Sequence, residues 1–246
     1  MKLLDQSTRP IIVFTDGAAK GNPGPGGWAA VIVTPDGRVR ELGGASRHTT
    51  NNRMELMGPI EAFSLLERTP GQVALYTDST YVIRGITEWI PNWHRRGWKT
   101  MEGKDVLNRE LWEQLWSLVR SREGGVEWNY VRGHVGIPGN ERVDQIANAY
   151  ALQDDPGLYE GPLAEYPVRI LDIPEDTSLP TSSSSSAKKG PPYSYLSVID
   201  GVAMRHATWT GCEQRVKGKS GARFKKAMSA EDEKAILKAW GVSLSL

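Results

Sequence analysis

The sequence predicts an α/β protein in which helices flank a mixed β-sheet, followed by a small α+β domain. Three observations lead to this prediction. In residues 1–152, short apolar runs typical of buried strands alternate with stretches of helical spacing. Residues 153–192 are rich in Pro, Ser and acidic side chains, as expected of a linker. Residues 193–246 carry a second, shorter pattern of strands and helices with a basic excess.

The elements of the first domain follow in chain order. PIIVFT predicts a buried strand, and two more strands flank a turn at Pro35-Asp36-Gly37. Residues 51–68 have helical spacing, QVALYTD predicts a strand, and STYVIRGI opens a helix capped by Ser79. Residues 105–121 predict an amphipathic helix, VEWNYV a strand, and NERVDQIANAYA a last helix capped by Asn140. In the linker, EYPVRILDI has some apolar content, so it either packs back on the first domain or is an apolar part of the linker.

Composition and charge narrow the possible function. The chain has a single cysteine, Cys212, so an intrachain disulfide framework and a multi-cysteine zinc site are excluded. No apolar run approaches the ~20 residues of a membrane span, and MKLLDQSTRP lacks the apolar core of a signal peptide, so we expect a cytoplasmic protein that does not enter a membrane. We also expect a monomer. Residues 153–187 contain seven acidic residues and one basic residue, whereas residues 188–246 contain 11 basic and five acidic. The basic piece favours a polyanionic partner, with a solvated basic face as the alternative.

Four carboxylates occupy positions where an α/β fold builds sites. Asp16 and Asp78 end two predicted strands, Glu55 lies one turn into the first long helix, and Asp144 lies near the start of the last helix. Carboxylates that converge repel one another unless a cation intervenes, and oxygen ligands favour Mg²⁺ or Mn²⁺. Two such ions are a known solution for in-line attack on a phosphodiester. The alternative for each residue alone is a turn or a helix cap.

Five segments carry a family resemblance: FTDGAAKGNPGPGGWA, TTNNRMELM, TDSTYVIRGITEWI, NWHRRGWK and VRGHVGIPGNERVDQIANA. In this order they resemble bacterial type 1 ribonucleases H over nearly all of residues 9–152. The resemblance implies a five-stranded mixed sheet and metal-dependent cleavage of the RNA strand in RNA–DNA hybrids, leaving 5′-phosphate and 3′-hydroxyl ends. It places Asp16, Glu55, Asp78 and Asp144 on the ligands of two Mg²⁺ ions, with Mn²⁺ as an alternative, and His134 on a catalytic histidine that moves protons.

The same resemblance suggests how the substrate is held. The 2′-hydroxyl distinguishes RNA from DNA, and Asn side chains can both donate to it and accept from it. Asn51 and Asn52 are expected to cap the long helix and to contact the hybrid, with a plain N-cap as the alternative for Asn51. NWHRRGWK resembles a basic protrusion that grips DNA, with a solvated helix and loop over core tryptophans as the alternative. The predicted substrate-binding residues are Asn22, Thr50, Asn51, Asn52, Thr80, Trp89, Trp93, Arg95, Arg96, Trp98 and Lys99.

The C-terminal piece resembles the hybrid-binding domain of eukaryotic type 1 ribonucleases H. Its pattern predicts two strands, a helix from Thr210, the segment ARFKKAM and a helix capped by Ser229. The resemblance places Trp209 and Phe224 on a DNA sugar face, Lys225 and Lys226 on phosphates, and the amides of 205–207 near RNA. It also suggests that Leu196 replaces a family aromatic. The alternative is that Trp209 and Phe224 form the core of this small domain.

Three other functions compete with this interpretation. Integrases, transposases and resolvases share such a metal-site fold, a non-catalytic protein could keep the fold only to bind hybrids, and the chain could derive from a reverse transcriptase. The intact set of four carboxylates argues against a non-catalytic role. The TTNNRMEL segment, the basic protrusion and the GHVG segment argue against the integrase group.

Overall fold

The computed structural model describes residues 9–133, 135–180, 193–199, 201–219 and 221–243. The chain divides into two compact units, Met1–Leu179 and Pro180–Leu246. His134, for which a catalytic role was predicted, lies outside the described residues. Within the described ranges, no helix has the length and apolar content needed to cross a bilayer.

The first unit contains a mixed sheet and its flanking helices. The strands are β1 (Ile11–Ala19), β2 (Gly24–Val33), β3 (Arg38–Thr49), β4 (Val73–Thr77), β5 (Val126–Tyr130) and β6 (Glu160–Pro162). The helices are α1 (Asn51–Leu65), α2 (Thr80–Arg84), α3 (Ile90–Arg95), α4 (Arg109–Ser121) and α5 (Pro138–Leu152), with a π-helical turn at Gly85–Trp89.

The strand order is β5-β4-β1-β2-β3-β6, which confirms the predicted fold class. β1 pairs parallel with β4 and β4 with β5, whereas the other pairs are antiparallel. The expected five strands are joined by a sixth, β6, which pairs with β3 through Arg40 and Glu160. β6 belongs to the segment that was predicted to be linker.

Apolar side chains of the sheet alternate between two clusters because successive residues of a strand face opposite sides. Ile11 and Val13 pack with α1 and α4, whereas Phe14 packs with α5. The second cluster also contains Tyr166 and Ile170, which are 8% and 1% exposed. Most apolar residues of EYPVRILDI therefore pack back on the first unit, while residues 181–192 of the predicted linker lie outside the described residues.

The predicted starts of α4 and α5 are wrong. α5 begins at Pro138 after Ile137, so Asn140 lies inside the helix. Proline is favoured at the first helical position because its missing N–H needs no partner there. α4 begins at Arg109, because Asn108 adopts a left-handed conformation (φ 58°) that interrupts any helix from residue 105. The Ser79 cap of α2 is confirmed, since its side chain accepts a hydrogen bond from the Val82 amide.

The second unit is a three-stranded antiparallel sheet with two helices. Its elements are β7 (Ser194–Ile199), β8 (Val202–His206), α6 (Trp209–Val216), β9 (Arg223–Ala227) and α7 (Ala230–Trp240), with strand order β8-β7-β9. Leu196, Ala227 and Ile236 form its buried cluster. Ser229 caps α7 as predicted, by accepting from the Asp232 amide.

Candidate active site

The sheet brings the four predicted carboxylates into one neighbourhood. β1 and β4 run parallel, with Phe14 beside Tyr76, so Asp16 and Asp78 lie two residues further along at the same sheet edge. Glu55 reaches this edge from the second turn of α1, and Asp144 reaches it from the second turn of α5. The carboxyl ends of neighbouring parallel strands are where α/β folds place their sites.

A glycine lets the first helix approach the first strand closely. A Cβ added to Gly17 would lie only 2.2 Å from the Glu55 amide nitrogen and from the Met54 carbonyl carbon. Because Gly17 follows Asp16 directly, this backbone contact sets the distance between the strand that carries Asp16 and the helix that carries Glu55. Only glycine allows such an approach.

The pKa of Asp16 is strongly raised at this edge. Its side chain is nearly buried, and burial together with repulsion from Asp78 raises its pKa to about 8. Asp144 and Glu55 add smaller repulsions, while a hydrogen bond from the Gly17 amide (2.7 Å) opposes the rise. Burial also raises the pKa of Glu55, against the effect of the hydrogen bond from Ser79. The four acids therefore interact electrostatically at this edge.

Polar neighbours orient these carboxylates. The Ser79 hydroxyl and the Asn51 amide each donate to Glu55 over 2.7 Å. The Asn148 amide donates to Asp144 Oδ1 (2.8 Å), and Lys20 Nζ donates to Asn148 Oδ1 (2.6 Å). Sequence reasoning missed Asn148 and Lys20. The spacing of Asn148, four residues after Asp144 on one helix face, is the signal that could have identified it.

A further amide reaches Asp78 from α5. Asn140 Nδ2 donates to Asp78 Oδ2 (3.4 Å), so Asn140 orients an acid of the site and does not cap its own helix. A Cβ on Gly133 would lie 2.5 Å from Asp78 Oδ2, so the loop after β5 also closes on this acid.

The donor set suits a hard divalent cation. Carboxylate oxygens are the ligands that Mg²⁺ and Mn²⁺ prefer, and a cation would relieve the repulsion around Asp16. Among the described residues, no group of three or more His, Cys, Asp or Glu side chains is arranged to hold a metal ion as it stands. The oxygen donors and the negative charge of the four acids are what make the site suit such an ion.

Several predicted substrate-binding residues lie around the helix starts near the acids. Thr50 is the N-cap residue of α1 without a capping side-chain bond, so the predicted caps Asn51 and Asn52 are instead the first two residues of the helix. Thr80 begins α2, and Asn22 lies in the exposed turn between β1 and β2. The expectation that Asn51 and Asn52 cap the helix is therefore wrong, and the Asn51 side chain donates to Glu55 instead.

The segment NWHRRGWK splits into a buried part and an exposed part. Trp98 is 6% exposed and belongs to the core. The guanidinium carbon of Arg109 lies 5.6 Å from the centre of its ring. The core alternative thus applies to Trp98. Trp93 is half-buried against Trp89, with ring centres 5.6 Å apart. The exposed basic residues of the segment are His94, Arg95, Arg96 and Lys99.

A cavity of about 640 Å³ opens between this segment and the start of α1. Asn52, Trp89 and Trp93 line it, together with the exposed side chains of Met101 and Leu107. The cavity joins aromatic surface to the helix start that lies beside the acids. It is therefore placed to receive part of an extended ligand that also reaches the acidic edge.

The second unit presents an aromatic surface. Trp209 and Phe224 are 39% and 52% exposed, so the alternative in which they form the core is wrong. Their ring centres are 5.4 Å apart, and Tyr195, which sequence reasoning missed, lies 5.8 Å from Trp209. Leu196 is buried and therefore cannot occupy an aromatic surface position.

The strand register assigns the two lysines to different faces. Tyr195 pairs with Lys226 and Leu196 with Lys225, and residues that pair across antiparallel strands share a face. Lys226 accordingly shares the face of Tyr195, and Phe224, two residues away, lies on that face as well. Lys225 lies on the opposite face, and both lysines are exposed.

The chain is similar to known proteins over its first unit. Residues 8–151 match the family model described as RNase H. A Ribonuclease H of Cyanothece sp. (strain PCC 7425 / ATCC 29141) is 52% identical over 147 residues, which are 59% of this chain and 92% of the relative. A Ribonuclease H of Thermosynechococcus vestitus is 57% identical over 137 residues, which are 55% of this chain and 84% of that relative. Among solved structures, LC9-RNase H1, described as a type 1 RNase H with the type 2 active-site motif, is 33% identical with a TM-score of 0.55 and covers 64% of this chain and 80% of its own.

Proposed function

The chain belongs to the RNase H family, and we propose on that premise that it is an endonuclease that hydrolyses the RNA strand of RNA–DNA hybrids. The observation that carries the proposal is the convergence of Asp16, Glu55, Asp78 and Asp144 at one sheet edge, three of them acting on Asp16. Four acids that repel one another destabilise a fold, so their arrangement is best explained by the cation and the phosphodiester they serve.

The reaction is the addition of water to a phosphodiester of the RNA strand. A bond forms between the water oxygen and phosphorus while the P–O3′ bond breaks, so that the products carry a 5′-phosphate and a 3′-hydroxyl. Two Mg²⁺ ions, or Mn²⁺ in their place, would supply Lewis acidity at the attacking and leaving oxygens. Asp16, Glu55, Asp78 and Asp144 would hold the ions, and His134 is proposed to move a proton during attack or product departure.

The protein's own residues position the substrate. The first amides of α1 point out of the helix beside the acids, where an anionic strand is favoured. Thr50, Asn51 and Asn52 surround this helix start, so their polar side chains are placed to contact sugar hydroxyls and phosphates. Arg95, Arg96 and Lys99 are exposed and suited to phosphates of the DNA strand, with which they would fix the register of the duplex.

The second unit is proposed to bind the hybrid. Three contacting aromatic side chains, Tyr195, Trp209 and Phe224, remain at the surface with Lys226 on the same face. Exposing a large aromatic side chain to water is unfavourable, and aromatic side chains that remain at a surface typically serve as binding platforms. A second binding site on the same chain raises the local concentration of hybrid at the first and favours repeated cutting.

A cleavage assay tests the proposal. A labelled RNA–DNA hybrid is incubated with the full chain in Mg²⁺, Mn²⁺ or EDTA, beside single-stranded RNA, double-stranded RNA and double-stranded DNA. We expect cutting of the RNA strand of the hybrid alone, and only with a divalent ion. Cutting of duplex DNA would favour the integrase group, and binding without cutting would favour a non-catalytic hybrid-binding protein.

A matched pair of variants assigns the chemistry to the acids. Asp78→Asn keeps the size of the side chain but removes a charge from the site, so the cleavage rate should fall by about a thousandfold or more while hybrid binding persists. Asp154→Asn removes an exposed acid just after α5 and should leave the rate unchanged. Equal rates for the two variants would refute the assignment.

A further inference from the structure

Residues 156–178, here called the strap, follow the last helix of the first unit and lie beyond the residues matched by the family. The strap adds β6 to the sheet and buries Tyr166 and Ile170 in the cluster beneath α5. Burying a large apolar side chain contributes roughly 1.5–3 kcal/mol. The strap is therefore built into the unit that carries the four acids and does not serve only as a tether.

One end of the strap is tied to the helix that carries Asp144. Glu41 of β3, whose side chain is inaccessible to solvent, accepts hydrogen bonds from Arg142 of α5 over 2.7 and 2.8 Å. The Tyr159 amide (2.8 Å) and the Tyr166 hydroxyl of the strap donate to the same carboxylate. Because Arg142 precedes Asp144 by two residues, the early turns of α5 are held by a network that the strap completes.

The C-terminal end of the strap is hydrogen-bonded to β5, the strand that leads into the loop before α5. The Tyr130 amide of β5 donates to the Thr177 carbonyl oxygen (2.9 Å), and the Thr177 hydroxyl donates to Asn129 Oδ1 (2.8 Å). β5 is the edge strand of the sheet, so these bonds also satisfy polar groups that would otherwise lie open.

The loop between β5 and α5 thus meets the strap on both sides. Ile137, at its end, packs in the same apolar cluster as Tyr166 and Ile170. The loop contains Gly133, which abuts Asp78, and Gly136, whose φ of 82° is open to few other residues. Glycine widens the range of backbone conformations open to a short segment, so residues 131–133 and 135–137 need contacts from outside to keep one arrangement.

We propose that the strap is a positioning element of the catalytic unit, which fixes residues 131–133 and 135–137 and the helix that carries Asp144. Thr177 is its positioning residue at β5, and Tyr166 its positioning residue at α5. This inference rests on the proposed function, because positioning matters only if Asp78 and Asp144 serve the hydrolysis. It extends the catalytic unit to about residue 178, whereas the sequence prediction ended it at residue 152.

The test compares two variants of the full chain at one position. Thr177→Val removes the hydroxyl that donates to Asn129 and keeps the shape, whereas Thr177→Ser keeps the hydroxyl. Because misplaced catalytic groups lose rate steeply, Thr177→Val should lower the single-turnover rate on a hybrid about threefold to tenfold with KM unchanged. Amide hydrogen exchange at 131–133 and 135–137 should become faster. Thr177→Ser should restore both properties.

A control and a second variant complete the design. Glu175→Gln changes an exposed strap side chain and should behave as the wild type. Tyr166→Phe removes the hydroxyl that donates to Glu41 and should also lower the rate with KM unchanged. Wild-type rates and exchange in both Thr177→Val and Tyr166→Phe would overturn the inference, as would equal losses in Thr177→Ser. If the wild type cleaves no hybrid, the proposed function fails, and the exchange data still decide whether the strap holds the loop.

Discussion

Replacement of Gly17 by alanine should remove nearly all activity while leaving the protein folded. The new Cβ would lie 2.2 Å from backbone atoms of Met54 and Glu55, whereas ordinary contact begins at 3.4 Å. Backbone atoms cannot rotate away as a side chain can, so β1 and α1 would have to separate by about 1.2 Å. That movement draws Glu55 away from Asp16.

The expected magnitudes differ for stability and for activity. Overpacking of this kind costs about 1–3 kcal/mol of the free energy of unfolding, which a domain with about 5–15 kcal/mol tolerates at 25 °C. A displacement of about 1 Å among catalytic groups costs on the order of a hundredfold in rate. Gly17→Ala should therefore be folded and nearly inactive on a hybrid in Mg²⁺.

The assay combines thermal unfolding by circular dichroism with single-turnover cleavage at 25 °C. Gly211→Ala is the control, because its Cβ would meet only the Thr208 hydroxyl at 3.6 Å and the His206 ring at 3.7 Å. A folded Gly17→Ala protein that cleaves at the wild-type rate would refute the idea that this contact sets the spacing of the acids.

Two further predictions concern a buried acid and the aromatic surface. Burial opposes ionisation of Glu41, but hydrogen bonds from Arg142 and Tyr166 lower its pKa below 4.5 overall. The ionised Glu41 therefore stabilises the fold above pH 4.5, and this contribution is lost as the pH falls through the lowered pKa. Glu41→Gln should cost about 3 kcal/mol at pH 7, and its deficit in Tm relative to the wild type should shrink below pH 4.5 in thermal melts. Phe224→Ala should weaken hybrid binding about tenfold in a titration with Tm little changed, whereas Lys234→Ala on α7 should leave binding as it is.

Features that depend on neighbouring residues in the sequence could be predicted from it. Alternating apolar runs located the strands, and Ser79 and Ser229 marked helix caps because a hydroxyl beside a helix start has one favoured partner. The start of α5 was misplaced because Asn140 fits a cap by residue type, while Pro138 fits the first helical position better and Asn140 is used by Asp78.

Features that depend on distant partners were not predictable from one sequence. Nothing near Glu41 indicates that it meets Arg142, about a hundred residues later, or that Tyr166 joins them. The strap was predicted as linker because its prolines and acidic residues are typical of one, and its partners, the β3 edge, Glu41 and β5, are all distant in the sequence. Tyr195 was missed because alternation along a strand does not say which face is covered.

Glu41 and Asp16 illustrate what separates a structural acid from a functional one. Both are nearly buried, at 3% and 9% exposure. Glu41 is surrounded by donors that hold its pKa below the usual range, whereas Asp16 is surrounded by other acids, and burial with repulsion raises its pKa to about 8. A protein gains nothing in stability from the second arrangement, so Asp16 is retained for what it binds. Removing the charge of Glu41 should therefore cost stability, while removing that of Asp16 should cost activity.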